Sequence, residues 1–169
     1  MADNLAALLA KHRFFARMKP EYIEAMTACA SLKTYKAQEM LGKEGDPSDF
    51  FFALLDGRVA IETYQPGLDR VVLLTIDGGE IVGWSWLFPP YEWVFDARAM
   101  TSVQTIAFDT QCLREKCEKD TALGFDLLKR FSQVMTLRLK ATRLQLLDMF
   151  GRESEQSKLT PKTFEGTDG

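Results

Sequence analysis

Gly42-Lys43-Glu44-Gly45-Asp46-Pro47-Ser48-Asp49, followed by Phe50-Phe51-Phe52-Ala53-Leu54-Leu55-Asp56-Gly57-Arg58-Val59, is the stretch on which the fold turns. Gly45-Asp46-Pro47 ends one segment, because glycine, aspartate and proline each favour turn geometry for a steric or hydrogen-bonding reason of their own. The apolar run Phe50–Leu55 is long enough for a strand and too short for a buried helix. Asp56-Gly57 then separates two strand-like runs, which predicts a tight hairpin with positive φ at both turn residues.

The same grammar extends from Leu32 to Phe108. Arg58–Tyr64, Arg70–Ile76 and Ala99–Phe108 are short runs, set off by Pro66-Gly67 and Asp77-Gly78-Gly79. Strands this short with no helices between them describe antiparallel sheets. Before them, Leu5, Leu8, Leu9, Phe14, Phe15 and Met18 supply helical turns, and Pro20-Glu21 opens a second short helix. After them, Asp109 can cap a short helix through Cys117, and Asp120 a long one to about Phe150. That long helix carries two apolar stripes. One holds Leu127, Phe131, Val134, Ala141 and Leu144; the other holds Leu128, Met135, Leu139, Leu146 and Met149. A surface helix needs only one. The second stripe predicts a homodimer, with Phe131, Val134, Ala141 and Leu144 as candidate seam residues. The expected organisation is one domain over 1–150 and a polar, disordered tail over 151–169, since Gly151 is expected to end the helix.

Bulk properties exclude several classes. A chain of 169 residues with 46% hydrophobic content buries a sizeable core of its own. A net charge of −3 argues against nucleic acid as the main partner. Three cysteines, Cys29, Cys112 and Cys117, are too few and too irregular for a disulfide framework, so reduced thiols in a cytoplasmic protein are expected. No segment reads as a signal peptide or membrane span. Three thiolates fall short of a typical iron–sulfur set, and the one histidine, His12, lies in the N-terminal helical region; no cofactor or metal is expected. With no phosphate loop and no nucleophile elbow, the chain reads as a non-enzyme.

Helices, about eight short strands, then a short and a long helix resemble the order in cyclic-nucleotide-binding domains. Phe14-Phe15 with Met18-Lys19-Pro20-Glu21 is similar to that family's entry segment. Gly42-x-x-Gly45-Asp46-Pro47-Ser48-Asp49 with Leu55-Asp56-Gly57-Arg58-Val59 resembles its "G-D-x-x-D … L-x-G-x-V" segment, and Gly79-Glu80-Ile81-Val82-Gly83 the opening of its phosphate-binding cassette. In organisation the bacterial Crp/Fnr-type regulators are nearest. The resemblance implies a mainly β fold, an antiparallel β-barrel of the double-stranded β-helix (jelly-roll) type with N-terminal helices and a long C-terminal helix. Those regulators usually carry a helix-turn-helix domain after the long helix; the residues after Phe150 lack an apolar helical period, so a stand-alone sensor without that domain is expected. Lys129, Arg130, Arg138, Lys140 and Arg143 read as a solvated helix face rather than a direct nucleic-acid surface.

A cyclic phosphate buried in such a cassette needs a cation, best supplied by an arginine fork. The family also places a glutamate after the glycine, for the ribose hydroxyl. Here Trp84 follows Gly83, and Trp93 stands in the arginine slot. Losing those anchors costs a bound phosphate several kcal/mol. The candidate pocket residues are Gly83, Trp84, Ser85, Trp86, Trp93, Val94 and Arg98, the last as a substitute cation. Trp84, Trp86, Phe88, Tyr91, Trp93 and Phe95 place six aromatics in twelve residues, including all three tryptophans. Three readings stay open: rings plugging a vestigial pocket, a planar ligand stacked between them, or a patch that docks an unidentified protein. The implied action is a lever, in which the cassette shifts the last helix against a partner.

Overall fold

The computed structural model describes the backbone of residues 2–159, with side chains from residue 4 to residue 151. Helix α1 (Ala2–Lys11) leads through a 3₁₀ turn at Arg13–Phe15 to α2 (Pro20–Thr27), with Pro20 in the first helical turn. Eight strands follow: β1 (Ala30–Tyr35), β2 (Met40–Gly42), β3 (Phe50–Asp56), β4 (Arg58–Gln65), β5 (Asp69–Asp77), β6 (Ile81–Val82), β7 (Asp96–Ala99) and β8 (Val103–Asp109). Helices α3 (Thr110–Lys119) and α4 (Thr121–Leu159) complete the described chain.

The strands form two four-stranded antiparallel sheets, ordered β1-β8-β3-β6 and β2-β7-β4-β5. The fold class is therefore as expected, mainly antiparallel β with flanking helices. The ladders make two facing sheets rather than a closed ring of strands. Alternation along each strand puts Phe52, Leu54, Val103 and Ala107 of one sheet against Val59, Ile61, Ile76, Ala97 and Ala99 of the other, forming one apolar core.

Asp56-Gly57 does not make the expected hairpin. Strands β3 and β4 lie in different sheets, so this corner carries the chain from one sheet to the other. Only Gly57 has a positive φ, +92°, and a side chain there would run into the Ser102 carbonyl and Val103. The true hairpin joins β4 to β5, with Gln65 opposite Asp69 and Pro66-Gly67-Leu68 between them.

A second apolar layer lies on the far side of the β1-β8-β3-β6 sheet. The Phe51 ring stacks on Phe108 with centroids 4.5 Å apart, and Phe131 meets Phe51 edge-on at 5.2 Å. Phe14 packs on Phe131, and Phe15 on Phe108. His12 is buried and braces this layer: Nε2 donates to the Leu54 carbonyl at 3.1 Å, and Nδ1 accepts from the Phe14 N–H at 3.2 Å. Burial holds its pKa below the usual imidazole value.

Both helix caps fall where the sequence puts them. The Asp109 carboxylate accepts from the Cys112 N–H, and that of Asp120 from the N–H groups of Ala122 and Leu123. Arg130 fixes the start of α4, donating to the Phe14 and Ala16 carbonyls at 2.7 and 3.0 Å and pairing with Asp126.

The chain divides into two compact units, the first ending at Ser132 and the second beginning at Gln133. In the second, α4 continues through Gly151 to Leu159, so neither the helix end near Phe150 nor the start of a tail at 151 holds. A single glycine in a long helix costs about 1 kcal/mol and need not end it. The rest of the expected tail, 160–169, lies outside the described residues. The expectation of reduced thiols is also overturned, because Cys29 and Cys112 are joined in a disulfide across 83 residues. Sequence spacing hides this pair, since antiparallel β1 and β8 bring the two ends together. No helix among the described residues is long and apolar enough to cross a membrane.

Candidate functional site

The cassette begins where β6 pairs with β3, Val82 opposite Phe52. At Gly83 the chain turns with φ +86°, a conformation that L side chains avoid. A 3₁₀ turn over Ser85–Leu87 follows, then the Pro89-Pro90 corner and the return limb into β7. The return limb is zipped to the turn-rich segment Gly45–Ser48. Ser48 N–H donates to the Tyr91 carbonyl at 2.7 Å, Trp93 N–H to Asp46 at 2.8 Å, and Gly45 N–H to Trp93 at 2.8 Å. The Gly45–Ser48 turn thus fixes where Trp93 enters the sandwich.

Trp93 lies in the core between the sheets, 7% exposed, stacked on Phe52 with centroids 6.3 Å apart. Its indole fills the ground between Gly42 and Gly83. A Cβ on Gly83 would stand 2.8 Å from the ring's Cη2, and one on Gly42 would collide with the indole outright. The two glycines and the tryptophan therefore form one fitted unit. The slot in which the resemblance puts an arginine holds a neutral ring system.

The other predicted pocket residues scatter. Trp86 is buried on the opposite side of the sheet, stacked on Phe51 at 5.5 Å and edge-on to Phe131 at 5.7 Å, so it belongs to the helix-facing layer. Ser85 is buried beside it in sequence, Trp84 is half-buried, and Val94 is 43% exposed. Arg98 lies between Ala97 and Ala99, which both enter the core, so it points to the outer face. There its guanidinium grips the buried Glu62 carboxylate at two points and reaches Gln38, while Arg70 stands 3.7 Å from Glu62. It cannot serve as a substitute cation inside. Phe131, a candidate seam residue, is fully buried against its own fold; Val134 is half-buried, and Ala141 and Leu144 are exposed in the second unit.

Three features escaped the sequence reading. Arg114 of α3 lies over the Tyr91 ring at 4.5 Å and donates to the Trp86 carbonyl at 3.4 Å, tying the cassette to α3. Lys33 and Tyr35, two apart on β1, share a face with Phe50 and Phe52. The Lys33 Nζ sits 3.5 Å from the Phe50 ring centroid and meets no carboxylate within 4.0 Å among the described residues. Tyr35 packs edge-on to Phe52; its phenol is pushed up by burial and by the Glu39 charge. The i, i+2 spacing on β1 was the available signal. Finally, Ser48 Oγ and Trp86 Nε1 are buried with no hydrogen-bond partner among the described residues.

Residues 32–120 match the sequence profile described as Cyclic nucleotide-binding domain. A CRP-like cAMP-activated global transcriptional regulator of Mycobacterium tuberculosis is 27% identical over 143 residues, which cover 84% of this chain and 62% of the relative. The chain thus spans about three fifths of that relative's length. Two solved structures share the fold. A cyclic nucleotide-binding domain from Methylobacillus flagellatus superposes with a TM-score of 0.73 at 18% identity, over 88% of this chain and 83% of the other. The sensor domain of the transcriptional regulator DNR from Pseudomonas aeruginosa gives 0.66 at 19%, over 82% and 93%. The profile match covers the turn-rich segment, the cassette and α3 together, which are the parts the geometry links. The chain belongs to the cyclic nucleotide-binding domain family.

Proposed function

We propose that this chain is a cytoplasmic, non-enzymatic sensor domain of the Crp/Fnr type whose ordinary cyclic-nucleotide slot is occupied by its own Trp93. The carrying observation is the indole seated between Gly42 and Gly83, with Arg98 turned outward onto Glu62. A buried cyclic phosphate would meet an apolar ring where it needs a guanidinium, and it would lose a charge-assisted pair worth several kcal/mol. Output runs through contacts. Trp86 touches Phe131 of α4 and Arg114 holds the cassette to α3, so a change in the cassette reaches both helices.

The test is the double variant Trp84→Glu, Trp93→Arg, followed by thermal shift with cyclic AMP. The variant gains a cyclic-AMP-dependent shift that the wild type lacks. An equal shift in the wild type refutes the reading.

The partner of the last helix is a second copy. Val134, Ala141 and Leu144 belong to a stretch where Leu137, Leu139, Leu144, Leu147 and Phe150 are all more than half exposed in the single chain. Exposure on this scale marks an interface. Sedimentation gives a dimeric mass for the wild type and a lower one for Leu144→Glu; a monomeric wild type contradicts the proposal. The transcriptional activity of the longer Mycobacterium relative would require a DNA-binding partner or domain beyond these elements.

A second reading has its own observation. Lys33 and Tyr35 present an ammonium and a hydroxyl beside Phe50 and Phe52 with no acceptor among the described residues, as a small anion with a flat apolar body would require. Benzoate and indole acetate are suitable probes. Stabilisation by these acids but not by their amides, lost in Lys33→Met, supports it; equal response to acid and amide refutes it.

A further inference from the structure

Cys29 precedes β1 and Cys112 sits in the first turn of α3, their Cα atoms 5.7 Å apart. Backbone contacts that do not involve the bond also span this junction. Ala30 pairs with Phe108, Asp109 N–H donates to the Cys29 carbonyl at 2.9 Å, and the Asp109 carboxylate caps Cys112 N–H at 2.8 Å. Two thiols released here would stay within bonding reach, as a reversible pair requires. Two residues beyond Cys112, Arg114 grips Tyr91 and the Trp86 carbonyl. The thiol pair and the cassette are thus connected by less than one turn of helix.

The structure assigns Cys29 and Cys112 as a reversible thiol–disulfide site, oxidised by low-molecular-weight disulfides and read by the aromatic cassette through α3.

The chemistry follows from the placement. Cys112 is half-exposed and stands at the third position of α3, in the first turn, where the helix dipole favours a thiolate; Cys29 is buried. The Cys112 thiolate attacks one sulfur of a small disulfide RSSR, forming a mixed disulfide and expelling RS⁻. That thiolate takes the Cys29 proton, and the Cys29 sulfur attacks the Cys112 sulfur, closing the protein disulfide and releasing the second small thiol as RS⁻, which takes up from solvent the proton that Cys112 gave up on ionising. Two protein thiols are oxidised and one small disulfide is reduced to two thiols; excess thiol runs the sequence backwards. Cys117 is a poor competitor, because burial, with Asp120 and Glu118 nearby, pushes its thiol pKa up. The assignment takes only the cytoplasmic setting from the proposed function, where disulfides that form are commonly transient. A titration on purified protein judges the thiol pair whether or not that reading holds.

The intact chain is equilibrated in buffers of varied reduced and oxidised glutathione, alkylated, and weighed. Intrinsic fluorescence is followed in parallel, since all three tryptophans lie in the cassette. Three alkylated thiols are expected at the reducing end, one at the oxidising end, a reversible two-electron transition between them, and a fluorescence change tracking it. Arg114→Met keeps the thiol transition and loses the fluorescence change. A pair that stays oxidised across the glutathione range, a pair that never forms, or a fluorescence signal flat through the transition each overturns the assignment. The double variant Cys29→Ala, Cys112→Ala removes the response; should it fail to fold, the wild-type titration alone decides.

Discussion

Trp93→Ala removes the side chain that occupies the slot, and its consequences can be worked out from the neighbours. The indole is bordered by Gly42 and Gly83, with Ala97 and Ala99 in the same core cluster. None of these can lengthen to fill the space, so the void persists rather than collapsing. Deleting a buried tryptophan costs about 3–5 kcal/mol, and poor collapse puts this site toward the upper end. For a chain of this length each kcal/mol moves the midpoint by about 2–4 °C, which predicts a fall of roughly 6–20 °C. An apolar cavity of this shape also accepts the group removed from it. Free indole at about ten times its dissociation constant returns about 1.4 kcal/mol to the variant. Thermal unfolding by circular dichroism reads both effects. A loss under about 1 kcal/mol, or equal indole stabilisation of variant and wild type, would refute the placement of Trp93 as the plug.

Other outcomes follow from the same contacts. Gly83→Ala is destabilising in the wild type and much less so alongside Trp93→Ala, because its Cβ meets the indole at 2.8 Å; the residual cost is that of φ +86°. A double-mutant cycle in urea checks it, and additive costs contradict it. Arg98→Met leaves the Glu62 carboxylate buried with only the more distant Arg70, costing about 2–4 kcal/mol, while replacing both Glu62 and Arg98 with apolar residues recovers most of that. For His12 the folded pKa lies below the unfolded value near 6.5. Its contribution is therefore fully present above that value. It is lost as pH falls toward the folded pKa, because the unfolded state takes up the proton first. Midpoints measured on both sides of neutrality fall on the acid side for the wild type and fall less for His12→Gln.

Much of this architecture was written locally. Short apolar runs between Gly45-Asp46-Pro47, Asp56-Gly57 and Pro66-Gly67 delimit strands because turn geometry depends on the residues at the turn. Asp109 and Asp120 mark helix starts for the same local reason. Asp56-Gly57 misled because a tight turn fixes only the local bend. Which sheet each flanking strand joins depends on β8 and β7, far along the chain. The substitution of tryptophan for the expected arginine at position 93 was legible. Its fit against Gly42 was not, since 51 residues separate them and only the zipped Gly45–Ser48 segment brings them together. Trp86 looked like its neighbours in an aromatic-rich segment, yet one 3₁₀ turn sends it to the opposite side of the sheet. The Cys29–Cys112 pair and the Arg98–Glu62 grip were hidden likewise, both made by strand register rather than by spacing.

Equilibrium dialysis of the wild-type chain against labelled cyclic AMP, read together with cassette fluorescence, decides whether Trp93 closes the slot. With Trp93 in the slot and Arg98 committed to Glu62, no saturable binding is expected at micromolar nucleotide, and the tryptophan emission stays unchanged. Saturable micromolar binding accompanied by a change in that emission would contradict the account.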